Sequence, residues 1–205
     1  MPKKLRVLAA SDIEGDRRAV KALADKAEKE NVDLVILCGD LTEFDMDVDG
    51  LIGPFLEKKK QVLFVTGNHD MPAAADFLAK KYPIKNLQHY AMKIGDVGIF
   101  GCGGANIGPN FLDENEIFNY LKRGFDYVKD CEKKLMVTHV HPSGGKVDHA
   151  FFVPGTGSGA VARAIKEFKP NFHLCGHMHE FEGLQDYIGK TKSLSVGKHG
   201  TVFEI

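Results

Sequence analysis

The sequence predicts an α/β fold, with two mixed β-sheets packed face to face in a sandwich and helices on the outside. Three observations carry that expectation. Short apolar runs of strand length alternate with amphipathic helical segments through the first half of the chain, the pattern of parallel strands joined by helices. A hairpin and an alternating tail then break the pattern and call for antiparallel strands as well. Finally, 43% of the 205 residues are apolar, enough for a sizeable core. The length suits one large domain spanning residues 1–205, and no repeat, linker or low-complexity segment divides it.

The elements follow in order. Residues 5–10 read as a buried strand. A helix over 17–30 puts Val20, Leu23, Ala24 and Ala27 on one face. Residues 32–38 and 61–66 are the second and third strands. A helix over 72–81 opens on Pro72, in the first turn, where a missing N–H is harmless. Residues 89–94 and 97–100 flank Gly95-Asp96 as a hairpin. A helix over 113–130, a strand over 134–138, a helix over 157–168 stopped before Pro170, and a strand over 172–175 come next. The tail from 186 to 205 turns at Gly189 and Gly197, so the chain should close with antiparallel strands.

Charge excludes some partners. Lys plus Arg number 27 and Asp plus Glu 28, so bulk charge announces neither a nucleic acid nor a membrane. The clusters Lys3-Lys4, Lys58-Lys59-Lys60 and Lys133-Lys134 all precede strands. They therefore fall on the edge opposite the strand ends where a site would form, which argues against a nuclease groove. Cys38, Cys102, Cys131 and Cys175 form no CxxC pair and read as reduced, buried thiols. The apolar stretch after Lys4 stops at Ala10, too short for a signal peptide or a membrane span. A cytoplasmic protein with no membrane partner is expected, of no assignable oligomeric state.

The chemistry lies in five polar blocks, each just past the carboxyl end of an apolar run. They are "SDIEGD" (11–16), "CGDLTE" (38–43), "TGNHD" (66–70), "THVHP" (138–142) and "CGHMHE" (175–180). Each alone is an ordinary polar turn. Together they bring Asp12, Glu14, Asp40, Asn68, His139, His177 and His179 to the one sheet edge where α/β folds bind ligands. These are oxygen and imidazole donors without thiolate, suited to Mn, Fe, Zn or Mg. Seven exceed one tetrahedral site and fit two ions sharing a carboxylate.

The blocks resemble the calcineurin-like metallophosphoesterase pattern D-x-H, G-D-x-x-[DE], G-N-H-[DE], a later H, and G-H-x-H, in order across residues 12–179. That resemblance implies two divalent metal ions, Mn foremost, with Fe, Mg, Zn or Ni as alternatives. Asp12 and His179 would hold the first, Asp40 would bridge, and Asn68, His139 and His177 would hold the second. His69 would be the catalytic histidine, oriented by Asp70. The implied activity is a dinuclear-metal-dependent phosphoesterase of small phosphodiesters rather than monoesters, in which hydroxide shared by the metals attacks phosphorus. His69 would then protonate the departing oxygen.

One position departs from the pattern. Glu14 stands where the family has histidine. As a ligand it would surround the first ion with carboxylates and favour harder cations such as Mn²⁺ or Mg²⁺ over Zn²⁺. As a residue pointing away, it would leave that site weak, and the chain could be a degenerate member acting as a protein-interaction scaffold. Four weaker signals are His141, Glu43, the "GTGSG" run (155–159) and Phe151-Phe152. The glycine-serine run offers either backbone N–H groups for an anion or an N-capping Ser158. Phe151 and Phe152 could stack on a substrate base, pack at a subunit contact or anchor a loop.

Overall fold

Alternation inside each strand decides the architecture. In β1 (Arg6–Ala10), Leu8 and Ala10 face one way and Val7 and Ala9 the other, and all four are fully buried. The same holds in β2 (Leu34–Cys38) and β3 (Gln61–Val65). A strand buried on both sides must lie between two layers. This computed structural model, which describes residues 4–44, 47–150 and 156–205, supplies them.

The first sheet has five strands in the order β11-β1-β2-β3-β4, with β4 at Lys85–Asn86 and β11 at Thr201–Glu204. β1 to β4 run parallel, and β11 is antiparallel to β1. The second has six, ordered β5-β6-β7-β8-β10-β9. Its parallel members are β6 (Val97–Cys102), β7 (Lys133–Thr138), β8 (Phe172–Cys175) and β10 (Thr191–Ser195), with β5 (Met92–Ile94) and β9 (Gln185–Ile188) antiparallel at the edges. Both sheets are therefore mixed, as expected.

Three apolar layers hold these parts together. The inner faces meet in a core that joins Leu34, Ile36 and Leu63 of one sheet to Ile99, Leu135 and Val137 of the other. Outside the first sheet, Leu8, Leu37 and Phe64 pack on α1 (Arg17–Lys29), α2 (Gly53–Glu57) and α3 (Pro72–Lys81). Outside the second, Phe100 and Met136 pack on α4 (Glu114–Val128) and α6 (Gly159–Phe168). The helix starts have local causes. Asp16 caps α1 by accepting from the N–H groups of Arg18 and Ala19, and Asp113 with Glu116 forms a capping box on α4.

The tail closes with antiparallel strands, as expected, but not through two hairpins. Gly189 does turn a hairpin between β9 and β10, but Gly197 does not turn a second one. After β10 the chain crosses to the other sheet, where β11 pairs with β1. Alternation marks a strand but not its partner, and the pairing here is set by contacts distant in sequence. The short elements α2, β4 and α5 (Lys146–Ala150) were also not foreseen, being too brief for a period to register. Among the described residues no helix is long and apolar enough to cross a membrane. Phe151, Phe152 and Gly155 lie outside the described residues.

Candidate metal centre

The carboxyl ends of β1, β2, β3, β7 and β8 converge, and the five blocks meet there. After β1, β2 and β8 the chain turns in unfavourable conformations. Asp12, Glu14, Asp40 and His177 all have positive φ, at 56°, 50°, 50° and 74°. Non-glycine residues seldom adopt that region, and such strain gathers at functional sites. Neighbouring glycines permit the close approach. A Cβ on Gly67 would sit 1.9 Å from Asp40 Oδ1, and one on Gly39 would sit 2.4 Å from His139 Nδ1.

His139 lies at the centre, fully buried. Its Nδ1 donates to the Cys38 carbonyl at 2.9 Å, which turns Nε2 toward Asn68 Oδ1 at 2.9 Å and Asp40 Oδ2 at 3.2 Å. Burial alone would lower its pKa. The Asp40 carboxylate beside it outweighs that and raises the value to about 9. Burial likewise pushes Asp40 up, but His139 and the His69 N–H at 2.8 Å bring it net below the usual carboxylate range. His177 completes this group. One ligand atom each from Asp40, His139 and His177 lie within 4.8 Å of one another. Burial, then the nearby His139 and His141, lower the His177 pKa to about 3 and keep the imidazole neutral, the form that binds metals.

A second group adjoins the first. His179 Nε2 lies 3.4 Å from Asp12 Oδ1 and 3.5 Å from Glu14 Oε1. Glu14 thus points toward the ring that shares its expected ion, and its other oxygen lies 3.9 Å from Lys198 Nζ. The backbone N–H of His177 donates to both Asp12 oxygens at 3.2 Å, tying the two groups together. Burial raises the Asp12 pKa.

One relation needs correction. Asp70 does not orient the His69 ring. Its Oδ1 accepts from Thr42 N–H at 2.8 Å and Thr42 Oγ1 at 3.0 Å, and its Oδ2 from Gly67 N–H at 2.8 Å. It therefore braces the loops after β2 and β3 against each other, and the buried Nδ1 of His69 has no hydrogen-bond partner among the described residues. The resemblance implied that contact, but the Thr42 and Gly67 donors claim the carboxylate instead.

The weaker signals also find their places. Ser158 caps α6 through Val161 N–H, while Glu114 accepts from Ser158 Oγ and Ala160 N–H. The chain's own carboxylate thus occupies that helix start, and the anion-binding reading is overturned. His141 is buried, with Nε2 3.3 Å from Thr156 Oγ1. Glu43 is exposed. Lys58 pairs with Glu28, and Lys133 with Asp96, away from the centre. Sequence reasoning missed Thr42, Phe44 and Lys198. Thr42 lies within a quoted block, and Phe44 follows it directly. Lys198 had no local signal, because the crossover between β10 and β11 brings it in.

The sequence pattern of the calcineurin-like phosphoesterases matches residues 5–181, and the chain belongs to that family. It is 29% identical over 202 residues, covering 93% of this chain and 87% of the other, to the uncharacterized protein MJ1162 of Methanocaldococcus jannaschii. Its fold is similar to that of TT1561 of Thermus thermophilus (TM-score 0.76, 17% identity, 98% of this chain and 99% of that one). It is also similar to a phosphopantetheinyl hydrolase from Mycobacterium tuberculosis (TM-score 0.65, 13% identity, 96% and 90%) and a dimetal phosphatase from Danio rerio (TM-score 0.63, 11% identity, 96% and 88%).

Proposed function

We propose that this chain is a dinuclear-metal-dependent phosphoesterase acting on small phosphodiesters, with residues 1–205 as one catalytic domain. The observation that supports it best is the pair of adjoining donor groups, one around Asp40 and His139 and one around Asp12 and His179. The donor set fits divalent cations of the Mn, Fe or Zn kind, being carboxylate, amide and imidazole only. Asn68, His139 and His177 would hold one ion, Asp12, Glu14 and His179 the other, and Asp40 both. When bound, such ions activate water and neutralise the phosphoryl oxygens.

The chain's own residues do the rest. The Cys38 carbonyl accepts from Nδ1–H of His139 and sets the ring plane, which leaves Nε2 for an ion. Asp70 holds the Asn68-His69 turn in place through Gly67 and Thr42. His69 Nδ1 is buried, which leaves Nε2 to face a leaving oxygen and give it a proton. The decisive experiment is hydrolysis of a chromogenic phosphodiester by the chelated protein before and after Mn²⁺ addition. Mn²⁺-dependent turnover that is absent in Asp40→Asn is the expected result. No turnover with any divalent ion would favour the scaffold alternative.

A further inference from the structure

His69 lacks the carboxylate partner that usually fixes a catalytic imidazole. Its Nδ1 is buried without a hydrogen bond among the described residues, and Asp40 Oδ2 is 4.0 Å away. An imidazole held by no hydrogen bond can turn about its side-chain torsions. A general acid, by contrast, must hold its proton within hydrogen-bond reach of the leaving atom.

The contact present instead is aromatic. Phe44 lies over His69 with ring centroids 4.2 Å apart and planes inclined by 30°. Its backbone N–H donates to the His69 carbonyl at 3.1 Å, so main chain and ring are both paired. Two costs accompany this placement. Phe44 has φ +55°, a region that bulky residues avoid, and the residue is 50% exposed. It belongs to none of the three apolar layers. A turn with no other task would take glycine or asparagine there. Strain of this kind persists where surrounding structure and function require it.

We propose that Phe44 is a positioning residue for His69, its ring setting the imidazole plane so that Nε2 meets the leaving oxygen. The inference rests on the phosphoesterase reading above. As the P–O bond breaks, its electron pair passes to the leaving oxygen, and the proton moves there from Nε2. An acidic phenol needs that proton little, and an alkoxide needs it greatly.

The test compares two phosphodiesters with Mn²⁺, one releasing an acidic phenol and one an aliphatic alcohol, on the full chain. Phe44→Leu should slow the aliphatic substrate about tenfold or more, part of the roughly 10²–10⁴-fold that acid catalysis supplies. It should leave the phenolic substrate nearly unchanged, and Phe44→Tyr should restore the rate. The double variant Phe44→Leu/His69→Ala should be no slower than His69→Ala. Equal losses on both substrates, or losses that multiply in the double variant, would overturn the proposal. A second readout needs no turnover. Carbon-13 relaxation of the His69 ring, metal-free and with Mg²⁺, should show a rigid ring in wild type and Phe44→Tyr and a mobile one in Phe44→Leu. A ring equally rigid in Phe44→Leu overturns the proposal. Absence of wild-type turnover with a mobilised ring would retire the phosphoesterase reading and retain the positioning contact.

Discussion

His69 and Glu14 are the two residues whose chemistry is most open to test. His69 meets the proposed metal donors through Asp40, which accepts from its backbone N–H and lies 4.0 Å from its ring. On a phosphodiester that releases an aliphatic alcohol, His69→Ala should keep metal binding and slow turnover by roughly 10²–10⁴-fold, the scale of lost acid catalysis. Equal rates for variant and wild type would refute the role. Glu14 and Asp12 approach the same nitrogen of His179. Glu14→Ala should weaken one of two metal sites selectively, read as a drop in bound-metal stoichiometry at limiting Mn²⁺. Two ions per chain at unchanged affinity would sink the ligand assignment.

At the scale of elements, the loops after β2 and β3 behave as one unit because Asp70 joins them. The buried carboxylate satisfies three donors, two on Thr42 and one on Gly67. Asp70→Ala would strand those donors, at about 1–3 kcal/mol for each buried group left unpaired. The expected outcome is a fold several kcal/mol less stable in urea, with metal affinity reduced as well. If Asp70 served only to orient His69, stability would be unchanged and only turnover would fall. These loops were half legible in the sequence. Their donors could be read from the residue types after each strand, but the partner of Asp70 could not. That choice depends on how far the β2 loop approaches the β3 loop, which is set by Gly39 and Gly67 and the parallel register beneath them.

The whole molecule adds a dependence on pH through a buried histidine of β8. His173 is fully buried in β8, its Nε2 2.8 Å from Thr138 Oγ1 and its Nδ1 2.8 Å from Ser193 Oγ. Burial lowers its pKa to about 3. In the unfolded chain it would titrate near 6.5, so the unfolded state takes up the proton first as pH falls. The contribution is present in full above about pH 6.5 and is lost between there and about 3, at up to about 1.4 kcal/mol per pH unit. His173→Gln should flatten the loss of stability with acid in that window, measured by urea unfolding at several pH values. An unchanged slope would show that other groups carry it.

The sequence by itself determined the strand-helix alternation, both mixed sheets, and the donors at the strand ends, because periodicity and residue chemistry are local properties. It also marked Glu14 as the departure. Only the tertiary structure decided the crossover that sends β11 beside β1 and brings Lys198 to Glu14. It alone showed that Glu114 closes the start of α6, that Asp70 serves the backbone, and that Phe44 covers His69. In each case several neighbours were chemically adequate, and the one chosen depended on distances between segments far apart in the chain.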